Sequence, residues 1–322
     1  MRSLGLLLVA AGTALAAEPI TGPVAGYVTG QSAPELRAIV GVPGALRFGD
    51  RLALPDGITR LRLAPRQGYA LAERGNAPMA ALVLAAGGVD HLTPLEGAMV
   101  SADWVAFSAR GGAAVLYSAA AGRLQVVTGL PDSPVVATEI DAAAFGDTPV
   151  AAALDENAAL VAVASRGAAW VVPKSGAPRL VLSGQRIVSL AVAVNGRDLA
   201  VADAGAGAIQ VVVNASSTPE TRVLASGLVD LAEIFPGADG ATLYAAAGTV
   251  LRVDMASGSA ESFAADAPAV ELVALASADT FLFSARPGSP GWIFCREGSA
   301  GRVVFIPADS GGRRQPARGG VR

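Results

Sequence analysis

Four arginines, Arg74, Arg110, Arg166 and Arg286, each close an apolar run of strand-like sequence. Gathered on one face of a fold, guanidinium groups bind a carboxylate, a phosphate or an acidic protein surface through paired, charge-assisted hydrogen bonds. The competing reading is that each arginine solvates a strand end or pairs with a neighbour such as Glu73. Covalent and acid–base chemistry finds little to work with, because His91 is the one histidine and Cys295 the one cysteine. A Ser-His-Asp triad would have to use His91, and a Cys-His dyad would have to bring His91 to Cys295. His91 lies in Val89-Asp90-His91-Leu92, which reads as an outer strand. Cys295 follows Trp292-Ile293-Phe294 and reads as a small buried residue. A lone cysteine excludes an intramolecular disulfide.

Metal and cofactor chemistry is equally thin. A structural zinc site wants several histidine or cysteine ligands. Calcium takes carboxylates and carbonyl oxygens. Asparagine occurs only at Asn76, Asn157, Asn195 and Asn214, and Asp103, Asp155, Glu156 and Asp279 fall where hairpin turns are expected. No Walker-type phosphate loop is present. The sequence therefore implies no metal and no cofactor.

The elements that must position these residues repeat. An apolar strand, a turn and a second apolar strand recur in Leu61 to Arg74, Ala98 to Arg110, Ala151 to Arg166, Leu190 to Ala204, Leu231 to Ala247 and Leu272 to Arg286. Spacings between the second strands average about 42 residues, within the roughly 40 to 50 of a four-stranded propeller blade. Asn195-Gly196 and Asp239-Gly240 supply residues that tolerate the positive φ of tight hairpins. The strands are often apolar on both faces, as sheets sandwiched between neighbours require. Third and fourth strands follow, as in Ala208 to Val213 and Thr221 to Leu224.

These patterns predict an all-β fold, a β-propeller of four-stranded antiparallel blades. Six blades are counted, with seven the alternative if Ala45 to Arg60 or Pro134 to Pro149 hides further strands. The run Leu36 to Gly41 precedes any complete unit and matches the ends of later blades. It is expected to act as an N-terminal closing strand that completes the last blade and removes exposed sheet edges.

Met1 to Ala17 carries one charge at Arg2, an apolar run of roughly 14 residues and the A-x-A pattern of Ala14 and Ala16, the composition of a cleaved secretory signal peptide. The expected layout is a signal peptide over 1–16, one propeller domain over 17–310 and a disordered basic tail over 311–322. The tail holds Arg313, Arg314, Arg318 and Arg322 without an acid. With 52% hydrophobic and 16% charged residues the body must fold around a large core. A net charge of -3 argues against nucleic acid as a partner.

Asp198-Leu199-Ala200-Val201-Ala202-Asp203, followed by Ala208-Ile209-Gln210-Val211, resembles the repeat of NHL and YVTN-type propellers. That resemblance implies a propeller fold and names no activity. Trp104, Trp170 and Trp292 occupy different strand types, unlike the repeated motifs of quinone-dependent propeller dehydrogenases, and read as core aromatics. The expected function is that of an exported, monomeric, non-catalytic module in the periplasm or outside the cell. It would bind a protein or an anionic ligand over its loop-bearing face, with Arg74, Arg110, Arg166 and Arg286 as contacts. The alternative is a lactonase-like or other metal-dependent hydrolase using channel carboxylates.

Overall fold

Strands apolar on both faces bury them only when each sheet is covered twice, and a ring of sheets does this without exposing an outermost layer. The computed structural model describes residues 22–308, apart from 31–32, 86–87, 284–288 and 299. Seven antiparallel sheets form within these residues. Blade 1 has three strands, Val24–Thr29, Leu36–Val40 and Arg47–Arg51. Blade 2 has Arg60–Leu63, Tyr69–Arg74, Ala77–Ala85 and Gly88–Pro94. Blade 3 has Trp104–Phe107, Ala113–Ser118, Arg123–Thr128 and Val135–Asp141. Blade 4 has Ala151–Leu154, Val161–Ala164, Ala168–Val172 and Arg179–Ser183. Blade 5 has Ile187–Val192, Leu199–Asp203, Ala208–Val213 and Glu220–Ser226. Blade 6 has Leu231–Pro236, Thr242–Ala247, Thr249–Asp254 and Ala260–Phe263. Blade 7 has Val273–Ala274, Thr280–Phe283, Gly291–Glu297 and Ala300–Ile306.

The count corrects the expected six, since the six sequence units are blades 2 to 7. The closing strand is corrected as well. Leu36–Val40 pairs on both sides within blade 1, while blade 7 takes all four strands from consecutive chain. Ring closure comes from packing of faces. Ile39, Leu46 and Phe48 pack against Leu275, Leu282, Ile293 and Ile306 of blade 7. On the other face Tyr27, Leu36, Ala38 and Val40 meet Leu61, Ala70, Ala72 and Leu82 of blade 2.

An odd number of strands reverses the direction of the innermost one. The first strands of blades 2 to 7 run from what we term the upper face to the lower face. In blade 1 the beginning of Val24–Thr29 lies beside their ends: Ala276 donates to the Ala25 carbonyl at 3.3 Å. Tyr27 N–H donates to Gln67 Oε1 at 2.5 Å, and Gln67 Nε2 donates back to the Tyr27 carbonyl at 3.0 Å. Blade 1 thus runs like the second to fourth strands of a full blade, and the described residues supply it no first strand of matching direction.

Gln67 seals the strand edge so exposed. It is 2% exposed and sits with Arg66 at positive φ, 50° and 67°, in the turn after the first strand of blade 2. Non-glycine residues adopt that region at a cost, which the doubly bonded amide offsets. Gln67→Ala is expected to cost about 2 kcal/mol, because it removes both amide hydrogen bonds to the backbone of buried Tyr27. Urea unfolding checks it, and an unchanged midpoint would remove Gln67 from any part in closure. Among the described residues no helix is long and apolar enough to cross a membrane. The signal-peptide stretch and the basic tail lie outside the described residues.

Candidate functional site

The first strands surround a central cavity of about 730 Å³. Its wall can be aligned blade by blade, because each first strand of blades 2 to 7 ends at an N–H that bonds across the turn to the second strand. The donors are Ala64, Ser108, Asp155, Ala193, Gly237 and Leu275. Four residues before them stand Arg60, Trp104, Ala151, Ser189, Glu233 and Glu271, which form an upper ring on the wall. Two residues deeper, on the same side of each strand, come Arg62, Ala106, Ala153, Ala191, Phe235 and Val273. The upper ring is charged or polar in every blade but blade 4, where Ala151 stands, and the lower one is apolar except for Arg62.

Ring residues reach toward the next blade. Arg60 Nη1 donates to the Ala102 carbonyl at 3.4 Å and lies 3.6 Å from Glu73. Trp104 Nε1 donates to the Pro149 carbonyl at 3.2 Å, and its ring stacks on Tyr117. Ser189 Oγ accepts from Ile234 N–H at 3.2 Å, and Glu233 Oε2 accepts from Leu272 N–H at 2.7 Å. Arg62 Nη2 donates to the carbonyls of Ala102 and Asp103, while its buried Nε has no partner among the described residues.

Glu271 breaks the series, because the next blade is blade 1. Its carboxylate makes no hydrogen bond or ion pair with the described residues, and burial raises its pKa. Burial also pushes Glu233 up to about 7, against the single backbone bond from Leu272 and with Glu271 adding to the rise. The cavity extends here into blade 1, where Val28, Thr29, Glu35, Arg37 and Phe48 line it. Glu35 accepts from Arg51 at 2.9 Å, with Arg37 3.9 Å away, and Arg37 donates to the Gly49 carbonyl. One wall therefore carries arginines of blade 2, and another the carboxylates of blades 6 and 7.

The sequence-derived arginines are elsewhere. Arg74 and Arg166 lie at turns between second and third strands, on the upper face. Arg110 lies between the first and second strands of blade 3, on the lower face, where its N–H donates to Glu156. Trp104–Phe107 is the innermost strand of that blade, which shifts Arg110 to the other end of the ring. None of these three lines the central cavity, and Arg286 falls outside the described residues. The turn carboxylates serve structure: Glu156 accepts from Ser108, Arg110 and Gly112 of the preceding blade. Asp279 accepts from Ala238 and pairs with Arg296. His91 is exposed and bonded to Asp90, and Cys295 is buried. Among the described residues no three His, Cys, Asp or Glu side chains converge as a metal site.

The chain is a β-propeller of antiparallel, mostly four-stranded blades, and such folds commonly serve as binding or scaffold modules. No protein-family model matches it, and no curated protein matches it in sequence. Solved structures do. A functionally unknown protein from Desulfotomaculum acetoxidans is 13% identical, with 89% of this chain and 100% of that one covered and a TM-score of 0.58. The Swd1 β-propeller domain of Myceliophteria thermophila is 12% identical over 79% and 88%, with a TM-score of 0.56. A putative 6-phosphogluconolactonase from Bacteroides uniformis is 14% identical over 88% and 93%, with a TM-score of 0.54. At such identities the likeness is one of fold alone.

Proposed function

We propose that the chain is an exported, non-catalytic propeller that binds a ligand or a protein segment at the upper mouth of its central cavity. The observation that carries this reading is the cavity lining: charged groups of both signs face one cavity, arginines on one wall and carboxylates on another, above a lower ring that is apolar except for Arg62. Pockets with a few convergent polar groups on a largely apolar lining are the usual form of a ligand site. Arg74 and Arg166 lie on the same face and would extend contact with an anionic partner. The leader-like composition of Met1 to Ala17 supports export to the periplasm or medium. The blade 5 signature from Asp198 to Asp203 supports a place among NHL and YVTN-type propellers.

The test is a thermal-shift screen of the purified full-length product against small organic anions, cations and zwitterions. At least one ligand is expected to raise the melting temperature of the wild type and not of the Arg62→Gln, Glu271→Gln double variant. No shift from any probe, or equal shifts in the variant, would end the reading. Two carboxylates sharing a cavity wall favour a second reading, a metal-dependent hydrolase of the lactonase-like kind. Calcium-dependent opening of gluconolactone that Glu233→Gln abolishes would put that reading first.

A further inference from the structure

We infer that the side of the cavity next to blade 1 seats an organic cation, an ammonium or guanidinium group held between Glu271 and Glu233. The inference rests on the reading of the cavity as a binding site and names the chemistry of what binds there.

The repeat itself shows what the fold requires at this position. Ser189 and Glu233 are equivalent by their turn alignment, and each accepts one N–H from the following blade. A neutral hydroxyl does this in blade 5, so the latch needs no carboxylate in blade 6. Glu271 occupies the same position in blade 7 and faces blade 1, whose innermost strand runs the other way. Its carboxylate is left without a hydrogen bond or ion pair among the described residues.

Two neighbouring carboxylates without a counter-charge are expensive to enclose unless a cation joins them. The other lining carboxylate, Glu35, already has Arg51 and Arg37. The lining arginines are committed in turn: Arg37 to the Gly49 carbonyl, Arg60 to Ala102 and Glu73, and Arg62 to Ala102 and Asp103. Neither Arg60 nor Arg62 forms an ion pair with Glu233 or Glu271. An organic cation fits better than a metal ion, because among the described residues no third acidic side chain joins the pair. Val28 and Leu282 on the same cavity wall offer apolar contact to its methylene body.

Isothermal titration at pH 7.5 and low salt tests this with cadaverine and agmatine as cationic probes. Phosphate, propionate and calcium chloride serve as controls. One cationic probe is expected to bind the wild type one to one. Glu271→Gln should weaken it about tenfold or more, and Glu233→Gln, which keeps an acceptor for Leu272, should weaken it similarly. Circular dichroism and melting curves confirm that the variants fold. Absence of amine binding to the wild type, or equal affinity in both variants, overturns the inference. Phosphate or propionate binding that Arg62→Gln abolishes, without amine binding, would sink the cation and keep the cavity as a site. Calcium binding alone, lost in Glu271→Gln, would overturn it in favour of the metal reading.

Discussion

Replacing Asp203 with alanine is expected to remove about 4 kcal/mol of stability, seen as a lower urea midpoint at pH 7 with an unchanged slope. The side chain is 1% exposed and closes the second strand of blade 5. One carboxylate oxygen accepts the N–H of Gln185 at 2.8 Å. The other accepts those of Arg186, Gly205 and Ala206 at 2.9, 3.0 and 3.1 Å. Gln185 and Arg186 belong to the crossover from blade 4, and Gly205 and Ala206 to the turn into the third strand. A single carboxylate therefore ties two loops of the upper face, and alanine strands four donors at once.

The pH dependence follows from the same geometry. Burial acts to raise the pKa of Asp203, but the backbone bonds from Gln185, Arg186, Ala206 and Gly205 outweigh it and hold the carboxyl below the usual range. A folded pKa below the unfolded one gives stability that is whole above about pH 4 and is lost as pH falls through the folded value. The gap between wild type and Asp203→Ala should therefore narrow on acidification. Asp203→Asn should fall between the two, because its NH2 group would face a backbone N–H. An alanine variant as stable as wild type at pH 7 would show that the loops hold without it.

The strand that Asp203 ends was legible in the sequence, in a repeat whose turn glycines are also legible, but the loop bonds of its carboxylate were not. Asn195-Gly196 and Asp239-Gly240 do form first-to-second-strand turns, with the glycines at φ of 66° and 72°. Alternation and turn chemistry are local, so five of the six hairpins could be read, whereas Ala98 to Arg110 holds only the first strand of blade 3, Trp104–Phe107. Strand direction and sheet partner are not local. Leu36 to Val40 has the composition of an outer strand, and only its two pairings within blade 1 show otherwise. The register shift between Val24 and Gly26 further blurs the first strand's pattern.

The cavity wall was hidden for a different reason. Arg62 and Glu233 lie inside sequence units, and Glu271 stands one residue before another, but the units were aligned on their second strands. Counting four back from each turn-closing residue brings Arg60, Trp104, Ser189, Glu233 and Glu271 into one column. The arginine series mixed first strands with second strands, which is why Arg110 and Arg166 lie on opposite faces. An alignment on the turns carries the geometric information, because the turn fixes height along the channel and the strand period of two fixes the side.

Glutamine at position 233 is expected to stabilise the ligand-free protein by roughly 3 kcal/mol at pH 8 and to leave it unchanged at pH 4. Burial raises the pKa of Glu233 to about 7, with Glu271 adding to the rise. The folded state thus holds the proton more tightly than the unfolded chain, whose carboxyl titrates near pH 4. Any such contribution is intact below the unfolded pKa and is lost as pH rises through the folded one, so wild type should weaken between about pH 4 and 8. Glutamine removes that slope and retains an oxygen for Leu272 N–H. Urea melts at the two pH values separate this from a packing effect, which would be the same at both. A variant that is neutral or weaker at pH 8 would mean that a cation within the folded chain already meets the carboxylate. The adjacent Glu271 would then have no reason to await a ligand. A gain at pH 8 that the bound amine probe abolishes would join the stability of this wall to its occupancy, since the same charge that strains the empty cavity would hold the ligand.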